Sequence, residues 1–542
     1  MKFSVLSYRV LLIFFIAQTA LQAQKTEENW WKESVFYQIY MPSFQDSNGD
    51  GYSDFNGITS RLDYLEALGI KGIWLTPFFK SPKVDNGYDI ADYTQIDPTY
   101  GSMIDFKIFL TEAHSREIKV IIDMVLNHCS TDHYWFQEAR KSKDNPYRDY
   151  FIWRDEPNNW ESFFGGSAWE YDSLTDQYYY HKFDRRMVDF NWQNPVVVEE
   201  MQQVLRFWLD LGVDGFRLDV INFLTTDGVL ADNPIENGEH QHLYDIDQPG
   251  LKAALKTLRN TVDEYPNRFL VGEVGSDKLD ILSQYQSPEM MDVVFNFNFG
   301  SIPEFDAARI FEEIQQMENQ MPAYPTLFFG SHDNPRLMSR LADENPKCAL
   351  ALAALMLTAR GVPFIYYGEE IGMQNILAET PEQIVDIQGK TQFALARAKG
   401  QTEAEALFYA NKHNRDKSRS PMQWDSSPNG GFTEAEPWIR LHENYQKTNV
   451  KMASENPESL LNQYIKLIRL RNSLKALQYG EYTDLRFEEG LIFYTRTFKN
   501  QSVSVSINFG PKTTISIPDE AKIHYCSKVL ETNEFVVFEL KD

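Results

Sequence analysis

Short apolar runs, rich in β-branched or aromatic residues and ending in Gly, Asp, Glu or Asn, alternate along the chain with longer stretches whose apolar positions recur at helical spacing. Eight strand-like runs fall at 35–40, 72–75, 120–125, 215–218, 269–272, 293–297, 327–330 and 363–367. Amphipathic stretches between them include 58–68, 103–116, 195–211, 302–317 and 347–360. Strand–helix alternation predicts βαβ units around a parallel sheet, and eight such units predict an α/β fold of the (β/α)8 TIM-barrel type. The functional site of such a barrel is expected at the carboxyl ends of its strands.

Two segments break the alternation. Between the third and fourth runs lies a stretch rich in Trp, Tyr, Asn and Gly, including Pro157-Asn158-Asn159-Trp160 and Gly165-Gly166-Ser167, which is too long for a loop and predicts an inserted subdomain. After a final helical stretch at 459–472 the period becomes two, as in Leu491-Ile492-Phe493-Tyr494 and Val503-Ser504-Val505-Ser506-Ile507, which predicts a C-terminal antiparallel β domain. The expected organisation is a barrel over 30–128 and 193–475, an insertion over 129–192 and a β domain over 476–542.

The chain has 542 residues, 43% hydrophobic and 24% charged, a composition that excludes a disordered or fibrous protein. Its formal net charge of −26 would repel a phosphate backbone or an anionic membrane, so neither is expected as a partner. Cys129, Cys348 and Cys526 lie far apart and indicate neither a zinc site nor a disulfide framework. Lys2 and Arg9 precede the apolar run 10–17, and Ala20 and Ala23 precede polar residues, which reads as a signal peptide over 1–23 and predicts a secreted or periplasmic protein. That apolar run is well short of the roughly 20 residues a membrane helix needs, and no span is expected after signal removal.

Three carboxylates end three different strand-like runs: Asp219 in Arg217-Leu218-Asp219-Val220, Glu273 in Val271-Gly272-Glu273 and Asp333 in Ser331-His332-Asp333. Only a barrel brings them together. Clustered carboxylates raise one another's pKa and are costly, but glycoside cleavage needs such a set: a nucleophile, a protonated acid, and negative charge facing a positively charged transition state. Asp123 to His128 follows the third run, Gly87-Tyr88-Asp89 follows the second, and Arg217 stands two residues before Asp219, so both face one side of a strand.

With these motifs the sequence resembles glycoside hydrolase family 13, the α-amylase family. The resemblance implies Asp219 as nucleophile, Glu273 as acid/base and Asp333 as transition-state stabiliser, with Tyr88, Asp89, His128, Phe164, Arg217 and His332 around the sugar. Asp85-Asn86-Gly87-Tyr88-Asp89-Ile90, Pro157 to Trp169 and Arg419-Ser420-Pro421-Met422-Gln423-Trp424 are similar to the oligo-1,6-glucosidase and α-glucosidase branch. In that branch an arginine pairs with an aspartate to close the pocket, and the expected pair here is Arg419 with Asp89. Val220 is the residue type associated there with α-1,6 linkages. Met187-Val188-Asp189-Phe190-Asn191 departs from the branch's usual Gln-Pro-Asp-Leu-Asn.

Oxygen-bearing residues alternate in Asp46-Ser47-Asn48-Gly49-Asp50-Gly51-Tyr52-Ser53-Asp54, like the start of an EF-hand loop, although position twelve is Gly57 rather than Glu. The loop resembles the calcium loop of the same branch, with Asp46, Asn48, Asp50, the Tyr52 carbonyl and Asp54 as ligands. A structural Ca2+ and no organic cofactor are expected. The function expected is a retaining exo-acting α-glucosidase that cleaves α-1,6 or α-1,4 bonds of short gluco-oligosaccharides. The alternatives are an endo-acting α-amylase or neopullulanase-like enzyme, a transglycosylase of sucrose or trehalose type, and a non-catalytic binding protein of the kind seen in transporter heavy-chain ectodomains.

Overall fold

A computed structural model describes residues 30–540 except 227, 322, 526 and 527, so residues 1–23 and Cys526 lie outside the described residues. Eight parallel strands form the central sheet: β1 (Phe36–Ile39), β2 (Gly72–Leu75), β3 (Lys119–Met124), β4 (Gly215–Leu218), β5 (Phe269–Glu273), β6 (Val293–Phe295), β7 (Thr326–Leu327) and β8 (Val362–Tyr366). Their order, β6-β5-β4-β3-β2-β1-β8-β7, is that of a barrel rolled up from consecutive strands. At the β6/β7 seam the Thr326 hydroxyl donates to the Val294 carbonyl at 3.1 Å and accepts from the Asn296 N–H at 3.1 Å. This is a (β/α)8 TIM barrel.

Eight helices follow the strands: α1 (Leu62–Leu68), α2 (Met103–Ser115), α3 (Pro195–Leu211), α4 (Leu251–Val262), α5 (Leu279–Tyr285), α6 (Ala307–Gln320), α7 (Pro346–Thr358) and α8 (Leu460–Ser473). Helix α3 shows why they form where they do. Asn194 caps the Val196 N–H, Pro195 takes the first turn, Val197, Met201, Val204, Leu205 and Trp208 make a buried stripe, and Gly212 ends the helix at φ 102°. The stretch expected as a helix from Ile302 begins only at Ala307, because Pro303 interrupts the start and Asp306 caps the Ala308 and Arg309 N–H groups.

Inside the barrel, Phe36, Trp74, Ile121, Phe269, Val271, Val293, Phe295, Phe328 and Phe364 form a separate apolar cluster. Phe36 stacks on Phe364 at 4.7 Å and on Phe269 at 5.3 Å between ring centroids. Inward positions two residues further along β1, β3 and β5 carry Gln38, Asp123 and Glu273, so an aromatic plug lies under a charged upper layer.

In the insertion, strands His128–Ser130 and Met187–Asp189 pair antiparallel, and a three-stranded sheet lies between them in sequence. A five-stranded antiparallel sheet closes the chain, from Glu481–Glu488 to Glu534–Leu540. A long excursion between β8 and α8, carrying helices Ile387–Ala398 and Glu403–His413, has no counterpart in the sequence expectation.

At the end of β8, Glu369 and Glu370 are buried side by side. Tyr464 of α8 donates to Glu369 Oε1 at 3.0 Å, while Tyr37 and Tyr64 donate to Glu370 Oε1. Burial pushes the Glu369 carboxyl up from 4.5 to about 8, with Tyr464 opposing and Glu370 adding to the rise. A carboxyl whose folded pKa is raised contributes stability below its unfolded value and loses it as pH climbs through the folded value, here between about 4.5 and about 8. Glu369→Gln, which stays neutral, is therefore expected to match the parent's melting temperature near pH 5 and exceed it by several degrees at pH 8.5. Parallel melting curves across that range would show that Glu369 does not titrate there.

Candidate active site

The carboxyl ends of β3, β4 and β5 converge on one guanidinium. Arg217 donates through Nη1 to Asp123 Oδ1 at 2.7 Å and Asp219 Oδ1 at 2.5 Å, and through Nη2 to Glu273 Oε2 at 2.5 Å. The register explains this: Arg217 stands opposite Asp123 on β3 and opposite Val271, two residues before Glu273, on β5. The guanidinium lies over the rings of Trp74 at 5.2 Å and Tyr88 at 6.0 Å.

Burial pushes the Asp219 carboxyl well above its ordinary range; Arg217 opposes that, and Glu273 and Asp123 reinforce it. Burial likewise raises Asp123 to about 6 against the pull of Arg217. Asp123, Asp219 and Glu273 thus share one cation, and for Asp123 and Asp219 burial favours the protonated carboxyl. A nucleophilic carboxylate beside a protonated acid is the state that retaining glycoside cleavage needs.

Asp333 sits among a second set of cations. Its Oδ1 lies 3.3 Å from Arg419 Nη2 and 3.5 Å from Arg415 Nη1, and its Oδ2 lies 3.1 Å from His332 Nε2. Burial would raise its carboxyl, but His332, Arg415, Arg419 and Arg217 together hold it below the usual range. Burial also lowers His332 to about 3, so at neutral pH its imidazole is uncharged and the three arginines supply the field. His332 is fixed by Gln38 at 2.7 Å on Nδ1, by the Tyr88 hydroxyl at 2.7 Å on Nε2 and by parallel stacking with the Tyr88 ring. Two neighbouring acids thus sit in opposite environments: Asp219 is pushed toward protonation and Asp333 is held ionised.

All three acids line a cavity of about 770 Å3 together with Tyr88, His128, Phe164 and His332. The expected pair of Asp89 with Arg419 is not formed. Asp89 is fully buried under a turn, accepting from the Val84 and Asp85 N–H groups at 2.8 and 3.0 Å and from the Ser81 hydroxyl at 3.0 Å. Arg419 lies behind the cavity wall and donates through Nε to the His332 carbonyl at 2.9 Å. The pair that does reach the cavity is Asp85 with Arg415: Arg415 Nη2 donates at 2.6 Å to both Asp85 Oδ1 and Asp386 Oδ1, and its guanidinium covers the Phe164 ring at 5.3 Å.

The turn explains the exchange. Three local donors hold the Asp89 carboxylate under the turn, whereas Asp85 at the start of the same motif lines the cavity. Asp85 and Arg415 stand four residues from the positions expected, within or beside the motifs already noted. Asp386 carries no motif, since it is the N-cap of the helix Ile387–Ala398.

In the Asp46–Asp54 loop, Asp46 accepts from the Asn48, Gly49 and Gly51 N–H groups and from the Thr433 hydroxyl, while Asn48 and Asp50 each accept one N–H. Asp54 caps the following helix at Gly57 and takes both donors of Ser47. Among the described residues, no group of three or more His, Cys, Asp or Glu side chains is arranged to hold a metal ion.

The pairing is open to a double-mutant cycle. Arg415→Ala combined with Asp85→Ala is expected to show a coupling of about 1 kcal/mol or more in urea unfolding, because Arg415→Ala strands the buried Asp85 carboxylate. Arg419→Ala with Asp89→Ala is expected to be additive within about 0.5 kcal/mol. The reverse ranking would restore the Asp89–Arg419 pairing.

Residues 38–480 match the α-amylase catalytic domain. The chain is 40% identical to an oligo-1,6-glucosidase of Parageobacillus thermoglucosidasius, over 95% of this chain and 96% of that one. It is also 40% identical to a trehalose-6-phosphate hydrolase of Escherichia coli K12, over 89% and 91%. The crystal structure of the trehalulose synthase MutB from Pseudomonas mesoacidophila MX-45 superposes with a TM-score of 0.89 at 35% identity, over 94% of this chain and 99% of that one. With a barrel, an acid triad on one cavity wall and relatives aligned along almost its whole length, the chain belongs to the α-amylase family of glycoside hydrolases, glycoside hydrolase family 13.

Proposed function

We propose that the protein is a retaining, exo-acting α-glucosidase that releases glucose from short, uncharged α-1,6- and α-1,4-linked gluco-oligosaccharides. One observation carries the reading: Asp219, Glu273 and Asp333 share a cavity wall with the Asp85–Arg415 ion pair, which would close the pocket behind a non-reducing terminal sugar.

Asp219 attacks the anomeric carbon while Glu273 passes its proton to the departing glycosidic oxygen, leaving glucose covalently attached. Glu273, now a carboxylate, takes a proton from water, whose oxygen attacks the same carbon from the face the first sugar left. Two inversions give net retention. Asp333, kept ionised by its arginines, faces the positive charge that develops on the ring. Tyr88, Asp85, His128, Phe164, Arg217, His332 and Arg415 would hold the sugar, whereas Asp89 and Arg419 support the wall from behind.

The relatives include a trehalose-6-phosphate hydrolase, and charge argues against a phosphorylated substrate here. Six carboxylates line the cavity: Asp85, Glu161, Asp219, Glu273, Asp277 and Asp333. Of its two strong cations, Arg415 is shared between Asp85 and Asp386, and Lys182 is bound to buried Asp245 at 2.6 Å. A phosphate dianion would find both already neutralised and would face like charge.

We further propose secretion or periplasmic export, supported by the charged-then-apolar pattern over 1–23, and a structural Ca2+ at the Asp46–Asp54 loop, supported by its alternating oxygen donors. Glucose release from isomaltose, panose, maltose, soluble starch and trehalose-6-phosphate, compared side by side, tests the substrate reading. Fast release from the neutral disaccharides and panose is expected, with little from the phosphorylated sugar and with Asp219→Asn inactive. An early pool of intermediate oligosaccharides from starch would instead mean endo action. For the loop, EGTA is expected to lower the melting temperature by several degrees and added Ca2+ to restore it, an effect lost in Asp50→Ala; an unchanged melting temperature would show that the loop's own N–H donors suffice.

A further inference from the structure

The segment that follows the nucleophile is built against the strand end that carries Glu273. Immediately after Asp219, Val220 adopts φ 38° and ψ 48°, a left-handed conformation that is strained for a β-branched residue. There its N–H donates to Glu273 Oε2 at 3.2 Å, the same oxygen that accepts from Arg217. The chain then makes a 3-10 turn over Ile221–Phe223.

At the middle of that turn, Asn222 is completely buried. Its side chain pairs with the backbone of Gly275: Oδ1 accepts the Gly275 N–H at 3.0 Å and Nδ2 donates to the Gly275 carbonyl at 3.2 Å. The residues on either side of it close the fit, since a Cβ on Gly272 would meet Ile221 at 2.7 Å and one on Gly275 would meet the Phe223 ring at 3.4 Å. Asn222 is itself anchored from behind, because its carbonyl accepts the Asp247 N–H at 2.9 Å and Asp247 accepts from the Tyr285 hydroxyl of α5. The side chain lies outside the cavity lining, while Val220, Phe223, Glu273 and Gly275 lie on it.

We propose that Asn222 is a positioning residue for the acid/base, clamping the turn after Asp219 to the loop after Glu273 so that Glu273 Oε2 stays an acceptor and the transferable proton is confined to Oε1. This rests on the assignment of Glu273 as acid/base. A carboxyl free to rotate would present either oxygen, and either proton position, to the glycosidic bond. With Oε2 committed to the Val220 N–H and to Arg217, only Oε1 is left to face the leaving group. The strain at Val220 makes the clamp necessary: without Asn222 the turn can relax toward an ordinary conformation and withdraw the Val220 N–H from Glu273.

Leaving-group dependence separates this role from a merely structural one. From isomaltose the second glucose departs as a sugar alkoxide that must be protonated, whereas fluoride leaves α-glucosyl fluoride with little need of an acid. General acid catalysis contributes about 10²- to 10⁴-fold, so a misplaced proton should cost part of that on one substrate only. Asn222→Ala is expected to lower kcat/KM for isomaltose by roughly 10- to 100-fold and that for α-glucosyl fluoride by less than about 3-fold. Asn222→Asp, which keeps the acceptor for the Gly275 N–H, is expected to show the same selectivity at a smaller size, and it decides the matter if Asn222→Ala does not fold. Equal losses on both substrates, or no loss on either, would overturn the clamp. Turnover of neither substrate by the parent enzyme would overturn the α-glucosidase reading on which the clamp rests instead.

Discussion

The upper end of the barrel depends on one buried cation. Arg217 is held on the aromatic plug, over the Trp74 ring, and divides its donors among Asp123, Asp219 and Glu273. A lone guanidinium there would be ruinous to bury, and so would three carboxylates without it. Together they make a cluster that is short of positive charge, in which burial pushes Asp123 and Asp219 toward protonation. That shortage follows from strand register rather than from any flexible arrangement.

The surroundings of Asp333 are made differently. Asp333 follows β7, but the arginines that hold its carboxyl low, Arg415 and Arg419, come from the excursion between β8 and α8. The excursion is fastened to the insertion, where Gln392 donates to the Phe164 carbonyl at 3.1 Å, and to the loop after β2 through Asp85. The site therefore combines a rigid half, fixed by barrel hydrogen bonding, with a half assembled from three segments far apart in sequence. Loss of Arg415 would leave Asp85, Asp386 and Asp333 together without their common cation.

This division also governs what could be read from the sequence. Strand positions were legible because short apolar runs with abrupt acidic ends betray a barrel strand: Asp219 and Glu273 are found that way, and Arg217 by its spacing from Asp219. The inserted domain was legible from its length and composition, and the C-terminal domain from the change of period. The Asp85–Arg415–Asp386 cluster was not, because its members share no strand and no spacing. A motif such as Asp85 to Ile90 contains two aspartates, and only the local turn decides which is consumed by backbone N–H groups and which faces the cavity. The shortened start of α6 has the same origin, a proline and a capping aspartate overriding an apolar pattern. The left-handed turn at Val220 was hidden as well, since nothing in Asp219-Val220-Ile221-Asn222 signals positive φ in the way a glycine would.

The same division bears on substrate choice. Relatives that share the barrel include an oligo-1,6-glucosidase, a trehalose-6-phosphate hydrolase and a trehalulose synthase, at similar identity to this chain. The loop-built half is placed to select substrates, and there selection is an electrostatic matter before it is a steric one. That half presents Glu161 and Asp277 beside Asp219, Glu273 and Asp333, and its lysine is buried against Asp245. Binding a phosphate would require either breaking the Lys182–Asp245 pair, which leaves a buried carboxylate uncompensated, or accepting repulsion from an acidic cavity. Neutral sugars incur neither cost: their hydroxyls can donate to the many acceptors, and their apolar ring faces can lie against Phe163, Phe164 and Phe223 on the same wall. An acid-rich pocket in a chain of net charge −26 is thus suited to uncharged oligosaccharides.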